Sequence, residues 1–104
     1  MRECEVKKEE DRVVALIKCE IDHHTAKSIR ELIDYELTSN NVKNLIIDFS
    51  AVSFMDSSGI GLIIGRASKA ERIGARVEVR GLSGSLRRIV CMSGIEKIPN
   101  VNIK

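Results

Sequence analysis

The stretch that decides the fold is residues 43–80, which read KNLIIDFSAVSFMDSSGIGLIIGRASKAERIGARVEVR. It begins with an apolar run of strand length at residues 43–50, typical of a fully buried strand, and ends with strict alternation at residues 75–80. Between them, apolar residues recur at helical spacing over residues 57–73, and Gly74 stands where a left-handed helix cap is expected. A strand, a helix and a strand in this order predict a parallel pair joined by a crossover helix.

The sequence before this unit predicts a hairpin and a helix. Residues 2–8 alternate like a half-buried strand, and residues 12–20 form a near-continuous apolar run, the pattern of a strand covered on both faces. These two strands are expected to pair antiparallel. A helix is predicted over about residues 24–38, capped by Asp22 and ended by Asn40-Asn41.

The sequence after the unit predicts one more helix and one more strand. Leu86, Ile89 and Val90 mark a short helix that ends near Gly94, and residues 101–103 suggest a short strand. The full order is β-β-α-β-α-β-α-β. We therefore expect an α/β fold with a mixed sheet that is mostly parallel, an antiparallel N-terminal strand and helices packed on the sheet. The length of 104 residues predicts a single domain over residues 1–104.

Composition excludes several classes of function. Hydrophobic residues make up 43% and charged residues 31% of the chain, and the formal net charge is +2. Tyr35, Phe49 and Phe54 are its only aromatic residues, so little is available to stack on bases, and the charge is too small for a phosphate-backbone footprint. We expect no nucleic-acid partner.

Cysteine usage and hydropathy predict a cytoplasmic protein that does not bind membranes. The three cysteines, Cys4, Cys19 and Cys91, are odd in number and widely spaced, and no apolar signal segment opens the chain. They are expected to behave as small buried apolar residues. The longest apolar stretch, residues 60–64, is far shorter than the roughly 20 residues of a membrane span.

The segment FMDSSGIG at residues 54–61 follows a predicted buried strand and opens a helix, which is where open α/β sheets build sites. Asp56 or Ser57 is expected to cap the helix, whose free N–H groups would favour an anion. Glycine is unfavourable in a helix interior, yet this helix contains Gly59, Gly61 and Gly65. Either close packing of the helix or a smooth surface for a partner would require them. A dinucleotide loop fits poorly, because the third glycine falls one position late and Asp56 would repel a pyrophosphate.

FMDSSGIG, with IDHHTA at residues 21–26 and MSGIEKI at residues 92–98, resembles the anti-anti-sigma factors of bacterial sporulation and general-stress switches, which are single STAS domains. The resemblance implies that Ser57 is phosphorylated by an anti-sigma factor that is also a Ser/Thr kinase. It implies that the unmodified protein binds this kinase and releases the sigma factor, and that a PP2C-type phosphatase restores binding. Ser58 is the rival acceptor.

The resemblance also suggests which residues contact the partner. It assigns no catalytic residue, cofactor or metal to the chain, and His23 with His24 and Cys19 lacks the further ligands that zinc needs. Leu62 lies off the apolar face of its helix and is a candidate for a partner contact, with a contact to the neighbouring helix as its alternative. The partner-binding set is Asp22, His23, His24, Thr25, Asp56, Ser57, Ser58, Gly59, Gly61 and Leu62.

Three further expectations concern the basic stripe, the alternative function and the oligomeric state. Arg66, Lys69 and Arg72 form a basic stripe that is read as a solvated helix face or as a docking patch. The alternative function is a STAS nucleotide-sensing or scaffold subunit of a stress or transport assembly. We expect a monomer or a weak dimer.

Overall fold

The structure, a computed structural model, describes residues 3–39 and 41–104. An antiparallel hairpin opens the chain, and three units of helix followed by parallel strand come after it. The five strands lie in sequence order across one sheet, which confirms the predicted fold class. The elements are β1 Cys4–Glu9, β2 Arg12–Ile17, α1 His23–Leu37, β3 Asn44–Asp48, α2 Ser57–Arg72, β4 Arg76–Arg80, α3 Gly84–Met92, a 3-10 turn Ile95–Lys97 and β5 Val101–Ile103.

The element boundaries differ from the predicted ones by a few residues. β2 ends at Ile17 instead of residue 20, because the chain then leaves the sheet toward the start of α1. α1 ends at Leu37 with Thr38 as its cap, and Asn41 follows with a φ of 67°, while Asn40 lies outside the described residues. Gly74 has a φ of 76°, which confirms the left-handed cap after α2.

All three helices cover the same face of the sheet. Their buried side chains form one cluster with alternate strand residues such as Val13, Ala15 and Ile17 of β2. The molecule measures 34 × 34 × 19 Å, as expected for one sheet layer and one helix layer. The helices therefore place the core on one side of the sheet.

The prediction that β2 is covered on both faces is wrong, whereas the prediction of a buried β3 is confirmed for its apolar residues Leu45, Ile46 and Ile47. Val14 and Leu16 are only half-buried on the outer face, and Ile46 is buried there without joining the core cluster. Neighbouring charged side chains flank this apolar strip, including the ion pair between Arg80 Nε and Glu78 Oε2 at 2.7 Å. Continuous apolar runs thus arise here without a second helix layer, because long charged side chains cover apolar surface with their stems.

The basic stripe is also not a uniform solvated face. Arg66 is only 4% exposed, and its Nε lies 2.9 Å from Asp34 Oδ1 of α1. Lys69 Nζ lies 3.3 Å from the other carboxylate oxygen of Asp34, while Arg72 is exposed. Arg66 belongs to the interface between α1 and α2, because the two helices pack against each other as well as on the sheet.

We predict that Asp34→Ala destabilises the protein by about 1–3 kcal/mol, because it leaves the buried Arg66 guanidinium without its countercharge. Urea unfolding of the variant and the wild type measures the difference. The double variant Asp34→Ala, Arg66→Met should recover part of the loss, since it removes the uncompensated charge as well. A single variant as stable as the wild type would contradict this account.

Candidate functional site

A parallel bridge between Ile21 and Met55 ties together the loops that lead into α1 and α2. The Ile21 N–H donates to the Phe54 carbonyl at 3.0 Å, and the Asp56 N–H donates to the Ile21 carbonyl at 3.1 Å. Both Ile21 and Met55 are buried. The bridge brings the starts of the two helices side by side at the carboxyl edge of the sheet.

α1 begins with a capping box, which confirms Asp22 as its N-cap. Asp22 Oδ1 accepts the backbone N–H groups of His24 and Thr25 at 2.9 Å, and Thr25 Oγ1 accepts the Asp22 N–H at 3.0 Å. The hydrogen bond from the Thr25 backbone, with a smaller contribution from His24, lowers the pKa of Asp22. Asp22 is therefore held as a carboxylate on an exposed surface.

An aspartate also caps α2: Asp56, one of the two predicted caps, is its N-cap, without the capping box that α1 has. Asp56 Oδ1 accepts the Ser58 N–H at 2.7 Å. Ser57 is the first helical residue and its side chain is exposed, whereas Ser58 is half-buried between the helices. The two adjacent serines thus differ in access, and Ser57 stands between the carboxylate of Asp56 and the positive end of the helix.

The glycines of α2 have two different roles. A Cβ on Gly59 would lie 2.5 Å from Met55 Sδ, so this buried glycine allows the helix to pack on the bridge residue. A Cβ on Gly61 or Gly65 would meet nothing within 4 Å, because both border an open groove toward α1. Close packing therefore accounts for Gly59, while Gly61 and Gly65 leave an open surface, and a partner contact there stays a prediction.

The structure brings five of the ten predicted partner-binding residues together on one exposed surface. Asp22, His23 and His24 at the start of α1 lie beside Asp56 and Ser57 at the start of α2, and the two histidine rings lie 4.4 Å apart. We call this exposed group of five residues the switch surface.

Leu62 and Gly59 do not belong to this surface. Leu62 is 3% exposed and joins the core cluster, so the prediction of a free partner contact is wrong and its alternative, a contact in the helix interface, is right. Gly59 is buried against Met55. The apolar periodicity of α2 placed Leu62 outside the buried face, because that pattern reflects only the arc of the helix that faces the sheet. A second buried arc faces α1.

Sequence reasoning missed three residues near the switch surface. Phe54 is 52% exposed directly before the bridge residue Met55, although large aromatic side chains are usually buried. Lys27 and Arg30 line the groove between α1 and α2. The scarcity of aromatic residues and the i, i+3 spacing of these two cations were the available signals.

The cysteines offer little chemistry. Burial raises the pKa of the Cys4 thiol to about 12, so it stays protonated at neutral pH. Cys19 and Cys91 are half-buried, and burial also raises the pKa of Cys19.

Among residues 3–39 and 41–104, no three His, Cys, Asp or Glu side chains cluster in a way that would hold a metal ion. None of the helices described is long and apolar enough to cross a membrane.

This fold, with two capped helices starting together beside an exposed serine, is that of a STAS domain. The profile of the STAS domain matches residues 3–104, and the chain belongs to this family. A relative from Lysinibacillus sphaericus named anti-sigma F factor antagonist is 33% identical over 85 residues, which cover 82% of this chain and 73% of the relative.

Solved structures agree with this assignment. The anti-sigma factor antagonist SpoIIAA in its unphosphorylated form matches with a TM-score of 0.82 at 29% identity, covering 97% of this chain and 87% of that one. The Bacillus cell fate determinant SpoIIAA in its phosphorylated form matches with a TM-score of 0.75 at 29% identity, covering 97% and 90% of the two chains. The architecture is thus similar to SpoIIAA in either form.

We predict opposite effects for Gly59→Ala and Gly61→Ala. The first forces a Cβ against Met55 and should lower the free energy of unfolding by about 1 kcal/mol or more. The second adds a methyl group to open space within a helix and should raise it by about 0.5–1 kcal/mol. Thermal and urea unfolding of the pair measure the difference, and equal stabilities would contradict the packing role of Gly59.

We predict that the stabilising effect of the Asp22 charge depends on pH. Because the folded-state pKa of Asp22 lies below its unfolded value, the carboxylate stabilises the fold above the unfolded pKa and loses this effect as pH falls through the folded pKa. Asp22→Asn keeps a good N-cap without the charge. The wild type should therefore be more stable than the variant at neutral pH, and acid should close the gap. A gap that persists in acid would show that charge is not responsible.

Proposed function

We propose that this protein is an anti-sigma factor antagonist whose unphosphorylated form binds an anti-sigma factor and releases the sigma factor. The observation that carries the proposal is Ser57, an exposed first residue of α2 beside the carboxylates of Asp22 and Asp56. The relative from Lysinibacillus sphaericus and SpoIIAA, both named as antagonists, support the same role. The protein acts by binding and has no catalytic role.

Phosphorylation of Ser57 by the anti-sigma factor, acting as a Ser/Thr kinase, switches binding off. A phosphate adds about −1.5 to −2 charges at neutral pH. The start of α2 tolerates this charge because free backbone N–H groups and the helix dipole favour anions there. The likeness to SpoIIAA in both its unphosphorylated and phosphorylated forms supports a switch that leaves the fold intact. The switch therefore acts on the interface.

Ser57 is the acceptor in preference to Ser58. Ser57 is exposed, so a kinase can reach its hydroxyl, whereas Ser58 is half-buried at the groove between the helices. The Ser58 N–H is also bound to the cap carboxylate of Asp56, which fixes the backbone at that position.

The proposal has two further parts. A PP2C-type phosphatase removes the phosphate from Ser57, and the protein acts as a monomer or a weak dimer.

We predict that incubation with ATP and the anti-sigma kinase of the same organism adds one phosphate to the wild type and to Ser58→Ala, but none to Ser57→Ala. Intact-mass and phosphopeptide analysis measure the product. A phosphate that persists on Ser57→Ala and is lost on Ser58→Ala would move the switch to Ser58.

A binding assay separates this function from its alternative. Ser57→Glu adds negative charge at the same place and should weaken binding to the anti-sigma factor by about tenfold or more, while Ser57→Ala should bind like the wild type. If the wild type binds no anti-sigma factor but binds a purine nucleotide saturably without a kinase, the nucleotide-sensing or scaffold alternative replaces the proposal.

A further inference from the structure

An open groove runs between the first halves of α1 and α2. Its volume is about 380 Å³, and it begins beside the switch surface, because His23 and Ser58 line its end. Gly61 and Gly65 form the α2 side of the groove and leave open space where side chains would otherwise stand. A partner's side chain can therefore approach the helix backbone closely.

The groove is lined by cations and by no carboxylate of the described residues. Lys27 and Arg30 project from α1 as exposed side chains without an ion-pair partner in the part of the chain that the structure describes, and Arg66 contributes from α2. Asp34, which is shared between Arg66 and Lys69, does not line the groove. The groove thus carries net positive charge in a chain that is close to neutral overall.

Arg66 is the unusual member of this set. Its Nη1 is buried and has no hydrogen-bond acceptor among the described residues, and its Nε lies near Asp34 without the alignment of a hydrogen bond. Buried donors without partners are rare and costly. Burial lowers the pKa of Arg66, and the nearby positive charge of Arg30 lowers it further. The negative charge of Asp34 opposes both effects. The guanidinium therefore lacks part of the negative charge and hydrogen bonding that such a buried group requires.

We infer that this groove receives an acidic side chain, Asp or Glu, of the anti-sigma factor, with Lys27, Arg30 and Arg66 as its ion-pair partners. The inference rests on the proposed function, because it extends the same interface from the switch surface along α1 and α2. A planar carboxylate matches the paired donors of a guanidinium. Nucleic acid is a poor occupant, since almost no aromatic side chain is available for stacking.

The groove also supplies a reason for phosphorylation to weaken binding. Ser57 is adjacent to Ser58, which lines the groove, so a phosphate on Ser57 places about −1.5 to −2 charges at its mouth. This charge neutralises the cations that attract the partner's carboxylate and repels the carboxylate itself. Phosphorylation of Ser57 thus opposes binding of the partner's carboxylate in the groove.

The test uses charge reversals on the exposed wall of the groove. Arg30→Glu and Lys27→Glu should each weaken binding to the anti-sigma factor of the same organism by about tenfold or more, and the salt dependence of binding should decrease. Arg88→Glu is the matched control, because Arg88 is exposed on α3 and does not line the groove. It should bind like the wild type. Circular dichroism and thermal unfolding establish that all three variants are folded.

A charge swap identifies the occupant. Single Asp→Lys or Glu→Lys changes in the anti-sigma factor are screened against Arg30→Glu, and one of them should restore most of the lost affinity while weakening binding to the wild type. Rescue by a single position supports the inference, and the absence of rescue at every acidic position overturns it.

The remaining outcomes separate this inference from the proposed function. If the wild type binds the anti-sigma factor and Arg30→Glu and Lys27→Glu bind equally well, the inference is overturned and the proposed function stands. If the wild type does not bind, both fail.

A phosphate titration tests whether the groove binds a free anion instead of a partner's carboxylate. Inorganic phosphate is added to the labelled protein, and the NMR shifts of Gly61 and Gly65 report binding. Saturation that Arg30→Glu abolishes without affecting partner binding would reassign the groove and overturn the inference.

Discussion

The pairing of Ile21 with Met55 is the constraint on which the rest of the site depends. Two backbone hydrogen bonds of 3.0 and 3.1 Å join loops that are far apart in sequence, and both side chains are buried beneath them. Because the pairing is parallel, the residues that follow, Asp22 and Asp56, enter their helices in the same direction. Two helix starts, two cap carboxylates and the exposed Ser57 thus share one edge of the sheet.

This constraint explains the sequence on either side of it. Ile21-Asp22 and Met55-Asp56 repeat one pattern, an apolar residue that pairs and an aspartate that caps. Gly59 follows because α2 must pass over the Met55 side chain within contact distance. The positive ends of both helices meet at this edge, where they stabilise two aspartates and would stabilise the phosphate of the proposed modification. The edge tolerates added negative charge because two helix dipoles face it.

The sequence predicted local structure well and helix contacts poorly. The order of elements, the cap at Asp22 and the left-handed Gly74 follow from signals within a few residues of each feature. Leu62 and Arg66 were placed on the wrong side because α2 packs against both the sheet and α1, which widens its buried arc beyond what one apolar stripe indicates. The Ile21–Met55 pairing joins distant residues, so local patterns could not predict it.

The site combines both signs of charge within a short distance. The switch surface is negative where it carries Asp22 and Asp56. The adjoining groove, with Lys27 and Arg30, is positive. A complementary partner would therefore present a cation to the switch surface and an anion to the groove. A partner with the reverse arrangement would meet like charges at both places. On the proposed switch, a phosphate on Ser57 would extend negative charge from the switch surface into the positive groove and so remove this alternation. Under this proposal, one phosphate placed where the two oppositely charged surfaces meet would weaken recognition without requiring a change in the fold.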